Sequence, residues 1–196
     1  MLRLIYVEEF FLMIEIRWHG RGGQGAVTSV EMLALAAIEE GKYAQGFPSF
    51  GPERRGAPVA AFTRIDDRQI KVRSGIYEPD VVIVLDPGLI GLVNVIDGLK
   101  PGGTLIVNTP KSPDEVKKEL KFKGRVATVD ATKIAWEELK VPITNTTMLG
   151  AVIKAVESVK LKSVEVPLKE RFGRLAVHNI NALKRAYKEL KFSKAA

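Results

Sequence analysis

Three short constellations carry residue types from which a binding site could be built. The first is His19-Gly20-Arg21-Gly22-Gly23-Gln24-Gly25, where Gly20, Gly22 and Gly25 satisfy the spacing G-x-G-x-x-G. Glycines so placed let backbone N–H groups approach a phosphate, and a helix starting at the end of the loop adds partial positive charge. A dinucleotide site also needs an acidic residue about 20 positions on, to hold a ribose hydroxyl. The corresponding stretch, Tyr43-Ala44-Gln45-Gly46, has none. An anion cradle and a tight turn that merely allows close packing are both open readings.

The second constellation is Ser49-Phe50-Gly51-Pro52-Glu53-Arg54-Arg55-Gly56-Ala57-Pro58. Adjacent guanidinium groups on a loop stiffened by Gly and Pro could grip a phosphate or a partner carboxylate bidentately. The plainer reading is a solvated loop in which Glu53 pairs with an arginine. The third is Asn145-Thr146-Thr147-Met148-Leu149-Gly150, where Asn145 or Thr146 is expected to cap a helix. Groups for acid–base chemistry are few. There are two histidines: His19 beside the glycine loop, and His178, expected on a helix surface or an interface. Asp86 ends a strand where α/β ligands bind, which is also an ordinary place for an aspartate. No nucleophile elbow and no metal-ligand spacing occurs, so no residue is assigned as catalytic. With no cysteine, the chain has no disulfide, thiolate zinc site or cysteine-held iron–sulfur cluster.

The elements that must position these groups follow from periodicity. A strand over Ile14–Trp18 leads through the glycine loop into a helix over Ala26–Glu40, with Gly41 just past its end. Tyr43–Phe47 reads as a second strand. Pro58–Ile65 and Gln69–Arg73 alternate about Asp66-Asp67 and read as a hairpin. Val81–Leu85 is a continuous apolar run, the mark of a buried central strand. A helix over Pro87–Leu99, strands Thr104–Asn108 and Arg125–Val129, and helices near 113–121, 131–139, 146–159 and 174–190 complete the reading. Strands alternating with helices predict one three-layer α/β/α domain over residues 13–196. Its sheet is expected to be mixed and mostly parallel, with a Rossmann-like first strand–loop–helix. Residues 1–12 read as an N-terminal extension.

The formal charge of +7 comes from 30 Lys and Arg against 23 Asp and Glu. Its distribution is uneven: residues 1–159 are neutral, and the whole excess falls in residues 160–196. That region reads as a solvated or partner-facing helix surface, where the macrodipole favours cations near a helix C-terminus, and no RNP or zinc-finger motif occurs. Nucleic acid is not an expected partner. The first apolar run, 2–16, contains Arg3, Glu8, Glu9 and Glu15, so neither a membrane span nor a signal peptide is expected, and the cytoplasm is the expected compartment. Richness in Lys and Glu with three Gln and no Cys fits a thermophilic source.

Taken in order, His19–Val27, Tyr43–Pro48, Gly51–Pro58 and Asn145–Gly150 resemble the gamma subunit of 2-oxoacid:ferredoxin oxidoreductases, particularly the pyruvate synthase type of archaea and anaerobic bacteria. The resemblance spans about residues 13–190; the extension lies outside it. It implies a multi-subunit enzyme that converts a 2-oxoacid and coenzyme A to an acyl-CoA and carbon dioxide, passing electrons to ferredoxin. Alpha, beta and delta subunits are the implied partners, and they would hold the thiamine diphosphate, magnesium and 4Fe-4S clusters. The isolated chain would be inactive and would border the coenzyme A site. By the same resemblance, Arg54 and Arg55 are expected phosphate or coenzyme A contacts. Gly20, Gly22, Gly23, Gln24 and Gly25 are candidates beside them, unless that loop faces a sister subunit. Asn145 and Thr146 are expected at a helix cap or interface. A stand-alone NADP-binding reductase and a basic nucleic-acid-binding protein are the alternative readings.

Overall fold

A computed structural model describes residues 13–49 and 55–194. Seven strands, β1 (Ile14–Arg21), β2 (Tyr43–Pro48), β3 (Pro58–Asp66), β4 (Val81–Val84), β5 (Thr104–Asn108), β6 (Arg125–Val129) and β7 (Lys191–Phe192), form one sheet in the order β2-β3-β1-β4-β5-β6-β7. β1, β4, β5 and β6 run parallel, while β3 and β7 are antiparallel to their neighbours. β4 is buried at every residue, as its unbroken Val-Val-Ile-Val run requires when both faces of a strand are covered.

Six helices flank the sheet: α1 (Ala26–Glu39), α2 (Pro113–Glu119), α3 (Ala131–Leu139), α4 (Asn145–Val156), α5 (Glu165–Phe172) and α6 (Ala176–Glu189). The larger core lies on the face covered by α1, α4 and α6, around Trp18, Leu33, Ile106, Met148 and Leu183. The smaller core, on the other face, packs Val82, Val84, Leu105 and Val107 against Val116 of α2 and Leu89 and Val95 of the 87–99 segment. α2 shows how local chemistry starts a helix. Ser112 accepts from the Glu115 N–H, Glu115 accepts from the Ser112 N–H, and Pro113 occupies the first turn, where no amide partner is lost.

Three expectations are corrected. The partner of β3 is β2, with Ala44 opposite Ile65 and Phe47 opposite Phe62, and residues 69–73 form no strand. A strand has two edges, and those of β3 are taken by β1 and β2. The span 87–99 is a 3-10 turn at Pro87–Leu89 followed by further turns. Gly88, Gly91 and Gly98 each weaken a helix there by about 1 kcal/mol, and Gly98 adopts a φ of +66°. β1 continues to Arg21, beyond Trp18, because Arg21 still pairs with Pro58. The short elements α5 and β7 have no periodicity long enough to announce them. The N-terminal extension, residues 1–12, lies outside the described residues.

Candidate functional site

The turn that follows β1 is fastened by its own side chains. The Gln24 Oε1 accepts from the Arg21 N–H at 2.7 Å, and the Gln24 amide donates to Asp86 Oδ2 at 2.9 Å. Arg21 Nε donates to the same carboxylate oxygen at 2.8 Å. Asp86 follows β4, which lies beside β1 with His19 opposite Val84, so the register carries Asp86 across from Arg21. The other Asp86 oxygen accepts from the Gly88 N–H. Burial alone would raise the Asp86 pKa, but the donors from Gln24, Gly88 and Arg21 outweigh it and hold the carboxyl below its ordinary range. The sequence placed Asp86 at a strand end without choosing between a ligand site and an ordinary aspartate; the structure gives it the role of fastening the turn.

The second constellation folds onto the first. Gly22 donates to the Ala57 carbonyl at 2.9 Å, and Gly56 donates back to Gly22 at 3.0 Å. Arg55 is exposed, and its Cγ would lie 3.8 Å from a Cβ at Gly23. Arg54 lies outside the described residues, as does Glu53. Gly20 ends against Leu85 and Ala26, so its missing side chain serves packing. Of the loop amides, those of Arg21, Gly22 and Gln24 are used internally. Those of Gly23 and Gly25 make no such bond among the described residues.

The third constellation arrives from across the core. Gly25, at φ +81°, is the left-handed residue from which α1 starts, and a side chain there would overlap the Asn145 amide nitrogen. The expectation that Asn145 or Thr146 caps α4 is corrected. α4 starts at Asn145 itself, preceded by Thr144, whose side chain makes no capping bond. Asn145 Oδ1 instead accepts from the Thr146 N–H at 2.7 Å, and the Thr146 hydroxyl donates to Asn179 Oδ1 at 2.7 Å. Both residues join α4 to its surroundings: Thr146 reaches α6, and the Asn145 carbonyl accepts from Ser29 of α1.

Two helices thus begin side by side, α1 and α4, neither with a side-chain cap. Their free N–H groups and dipoles make the place favourable for negative charge. Beside it opens a cavity of about 570 Å3, lined by Gly23, Gly25, Thr28, Val141, Ile143, Asn145, Phe172, Leu175 and His178. Asn145 is 93% buried, and its Nδ2 makes no hydrogen bond among the described residues. The walls are chiefly apolar, so the space suits an elongated ligand with an uncharged body and an anionic end. Among the described residues, no group of three or more metal-ligating side chains occurs.

His19 serves the scaffold. Its Nε2 accepts from Arg17 Nε at 3.1 Å, which requires a neutral imidazole. Burial, reinforced by the adjacent Arg17 charge, brings its pKa down to about 4. A histidine with its folded pKa below the unfolded 6.5 binds fewer protons when folded. Its contribution to stability is therefore complete above pH 6.5 and lost as the pH falls toward 4. Chemical denaturation across that window should show a flatter acid limb for His19→Gln than for the parent; parallel curves would contradict the assignment.

Fold and loop together define a three-layer α/β domain with a Rossmann-like strand–loop–helix at its candidate ligand site. Comparison with known proteins carries this further. The family described as pyruvate ferredoxin/flavodoxin oxidoreductase matches residues 15–189. A Thermococcus kodakarensis protein, the pyruvate/ketoisovalerate oxidoreductases common subunit gamma, is 60% identical over 177 residues, covering 89% of this chain and 96% of that one. The crystal structure of the pyruvate oxidoreductase subunit PORC of Thermotoga maritima superposes with a TM-score of 0.83 at 42% identity, over 93% of this chain and 99% of that one. The 2-oxoglutarate:ferredoxin oxidoreductase of Magnetococcus marinus shares the fold, with a TM-score of 0.73 at 21% identity, over 90% of this chain and 30% of that longer one. The chain belongs to the pyruvate ferredoxin/flavodoxin oxidoreductase family, as one of its gamma-type subunits. Among the described residues, no helix is long and apolar enough to cross a membrane.

Proposed function

We propose that this chain acts in the cytoplasm within a complex of alpha, beta, gamma and delta subunits. In that complex a 2-oxoacid and coenzyme A yield an acyl-CoA, carbon dioxide, one proton and two electrons, and ferredoxin takes the electrons. Thiamine diphosphate, magnesium and the 4Fe-4S clusters belong to the partner subunits in this reading, since a chain without cysteine offers no thiolate for a cluster. The part given to this chain is to border the coenzyme A. The observation that supports it is the meeting of the glycine loop, Arg55 and Asn145 at two uncapped helix starts beside an apolar cavity. Coenzyme A has that character, with anionic phosphates joined to a long, largely uncharged arm. The solved Magnetococcus relative bears coenzyme A and succinyl-CoA.

The decisive experiment is steady-state kinetics on the assembled complex. Charge-assisted hydrogen bonds contribute about 1.5–3 kcal/mol each, so replacing both arginines, Arg54→Ala with Arg55→Ala, should raise the KM for coenzyme A roughly tenfold or more. The KM for the 2-oxoacid should stay within about twofold. Equal effects on both substrates would assign the loop to assembly instead. Native mass spectrometry provides the second check, and a chain that never co-purifies with thiamine- and cluster-bearing subunits would refute the reading.

A further inference from the structure

At the opposite edge of the sheet, where β5 and β6 begin, a cavity of about 510 Å3 is lined by Gly102, Lys117, Lys123, Gly124, Arg125, Phe192, Ser193 and Lys194. Four of these eight residues are cationic and none is anionic. Among the described residues, Lys117, Lys123, Arg125 and Lys194 take part in no salt bridge. Two cations of α6 are paired by contrast: Lys184 with Glu165 at 2.7 Å, and Arg185 with Glu137, Glu138 and Glu189. Four cations without a carboxylate partner among the described residues thus share one concavity.

The positions of these cations do not reduce to helix electrostatics. Lys117 lies in the last turn of α2, where the macrodipole favours it. Lys123 comes from the turn before β6, Arg125 from β6 and Lys194 from the residues after β7, and no helix end accounts for them. Arg125 is also oriented: its guanidinium sits 4.1 Å above the Phe192 ring, a contact that holds the group while leaving its charge uncompensated. Ser193 accepts the Val126 N–H on its hydroxyl oxygen at 3.2 Å, which leaves the hydroxyl proton to donate. Gly102 keeps the rim open, with no atom within 4 Å of where a side chain would start.

We propose that this cavity binds the di- or triphosphate group of a small molecule. One monovalent anion would leave the site strongly positive, whereas a polyphosphate presents several charges and many acceptors to four cations and a hydroxyl. Convergence of four cations on one concavity of about 510 Å3 favours a compact, multiply charged ligand over the flat face of an acidic protein. This site lies apart from the candidate coenzyme A cleft, which is at the other end of the parallel strands.

Isothermal titration of the full chain with tripolyphosphate tests this. One saturable site is expected, with ATP binding as tightly and adenosine not at all. Lys123→Ala and Arg125→Ala should each weaken binding about tenfold, as loss of a charge-assisted contact does. Lys162→Ala, outside the cavity, should leave it unchanged. Lys123→Gln, at an exposed turn residue, keeps the test valid if Arg125→Ala unsettles Phe192. Absence of saturable binding, binding by adenosine alone, or binding indifferent to Lys123 would overturn the proposal. So would binding by the free chain that disappears in the assembled complex, which would assign the surface to an acidic partner subunit.

Discussion

Gly150→Ala should lower the melting temperature by roughly 6 to 12 °C, the equivalent of about 3 kcal/mol in a domain of this size. Gly150 sits in the middle of α4, where helix propensity alone would make alanine an improvement of about 1 kcal/mol. Tertiary contact reverses that sign. A Cβ at Gly150 would overlap the Leu183 carbonyl oxygen of α6 and lie 2.8 Å from its carbon and 3.1 Å from the Tyr187 nitrogen. All three are backbone atoms, which cannot rotate away as a flexible side chain would. Relief requires α4 and α6 to separate, loosening the core around Met148, Leu149, Ala182 and Leu183, all fully buried. Because α4 also delivers Asn145 to the candidate cleft, coenzyme A affinity in the complex should fall with stability. Gly91→Ala is the control, since nothing lies within 4 Å of its missing side chain; it should melt within about 2 °C of the parent. A Gly150→Ala protein that melts where the parent does would show that the two helices do not meet at backbone distance.

Glu15→Ala should cost about 3–5 kcal/mol, whereas Arg64→Met should cost distinctly less. Arg64 is 1% exposed on β3, and its Nε donates to Glu15 at 2.8 Å. Its remaining contacts are a weak bond to the Gly75 carbonyl at 3.2 Å and the face of Phe47, while one terminal nitrogen, Nη1, has no partner. Removing Glu15 strands a buried guanidinium. Removing Arg64 leaves a carboxylate that is 17% exposed, with Lys100 at 3.9 Å. The asymmetry follows from which charge the fold hides from water. Urea unfolding of the two single variants and the double variant measures it. The double variant should recover much of the loss seen in Glu15→Ala, and the reverse order of the two single costs would refute the argument.

Much of the fold was legible because the patterns involved are local. The apolar run 81–85, the strand, glycine loop and helix over 14–40, and the helix near 174–190 each report on their own few neighbours. The misreadings came where competition decides. Residues 69–73 alternate as a strand should, but β2 had already taken the only free edge of β3. The 87–99 segment has helical spacing of apolar residues, and its glycines outweigh it. Asn145 and Thr146 have the chemistry of caps, yet α4 already includes both: the Asn145 side chain accepts from the adjacent Thr146 N–H, and the Thr146 hydroxyl is drawn to Asn179, distant in sequence.

The site divides along the same line. Residue identity and spacing alone determined which groups could matter: a loop of glycines between strand and helix, paired arginines, an Asn-Thr-Thr helix start, and the want of any cysteine. They also determined that the whole charge excess is C-terminal. Only the tertiary structure decided that the glycine loop, Arg55 and Asn145 converge, although Gly25 and Asn145 are 120 positions apart. It also decided that Asp86 locks the turn, and that Lys117, Lys123, Arg125 and Lys194 meet in one concavity at the far edge of the sheet. The reason is physical: propensity, capping and periodicity act over a few residues, whereas burial, close approach and charge pairing depend on distances that only the packed chain sets.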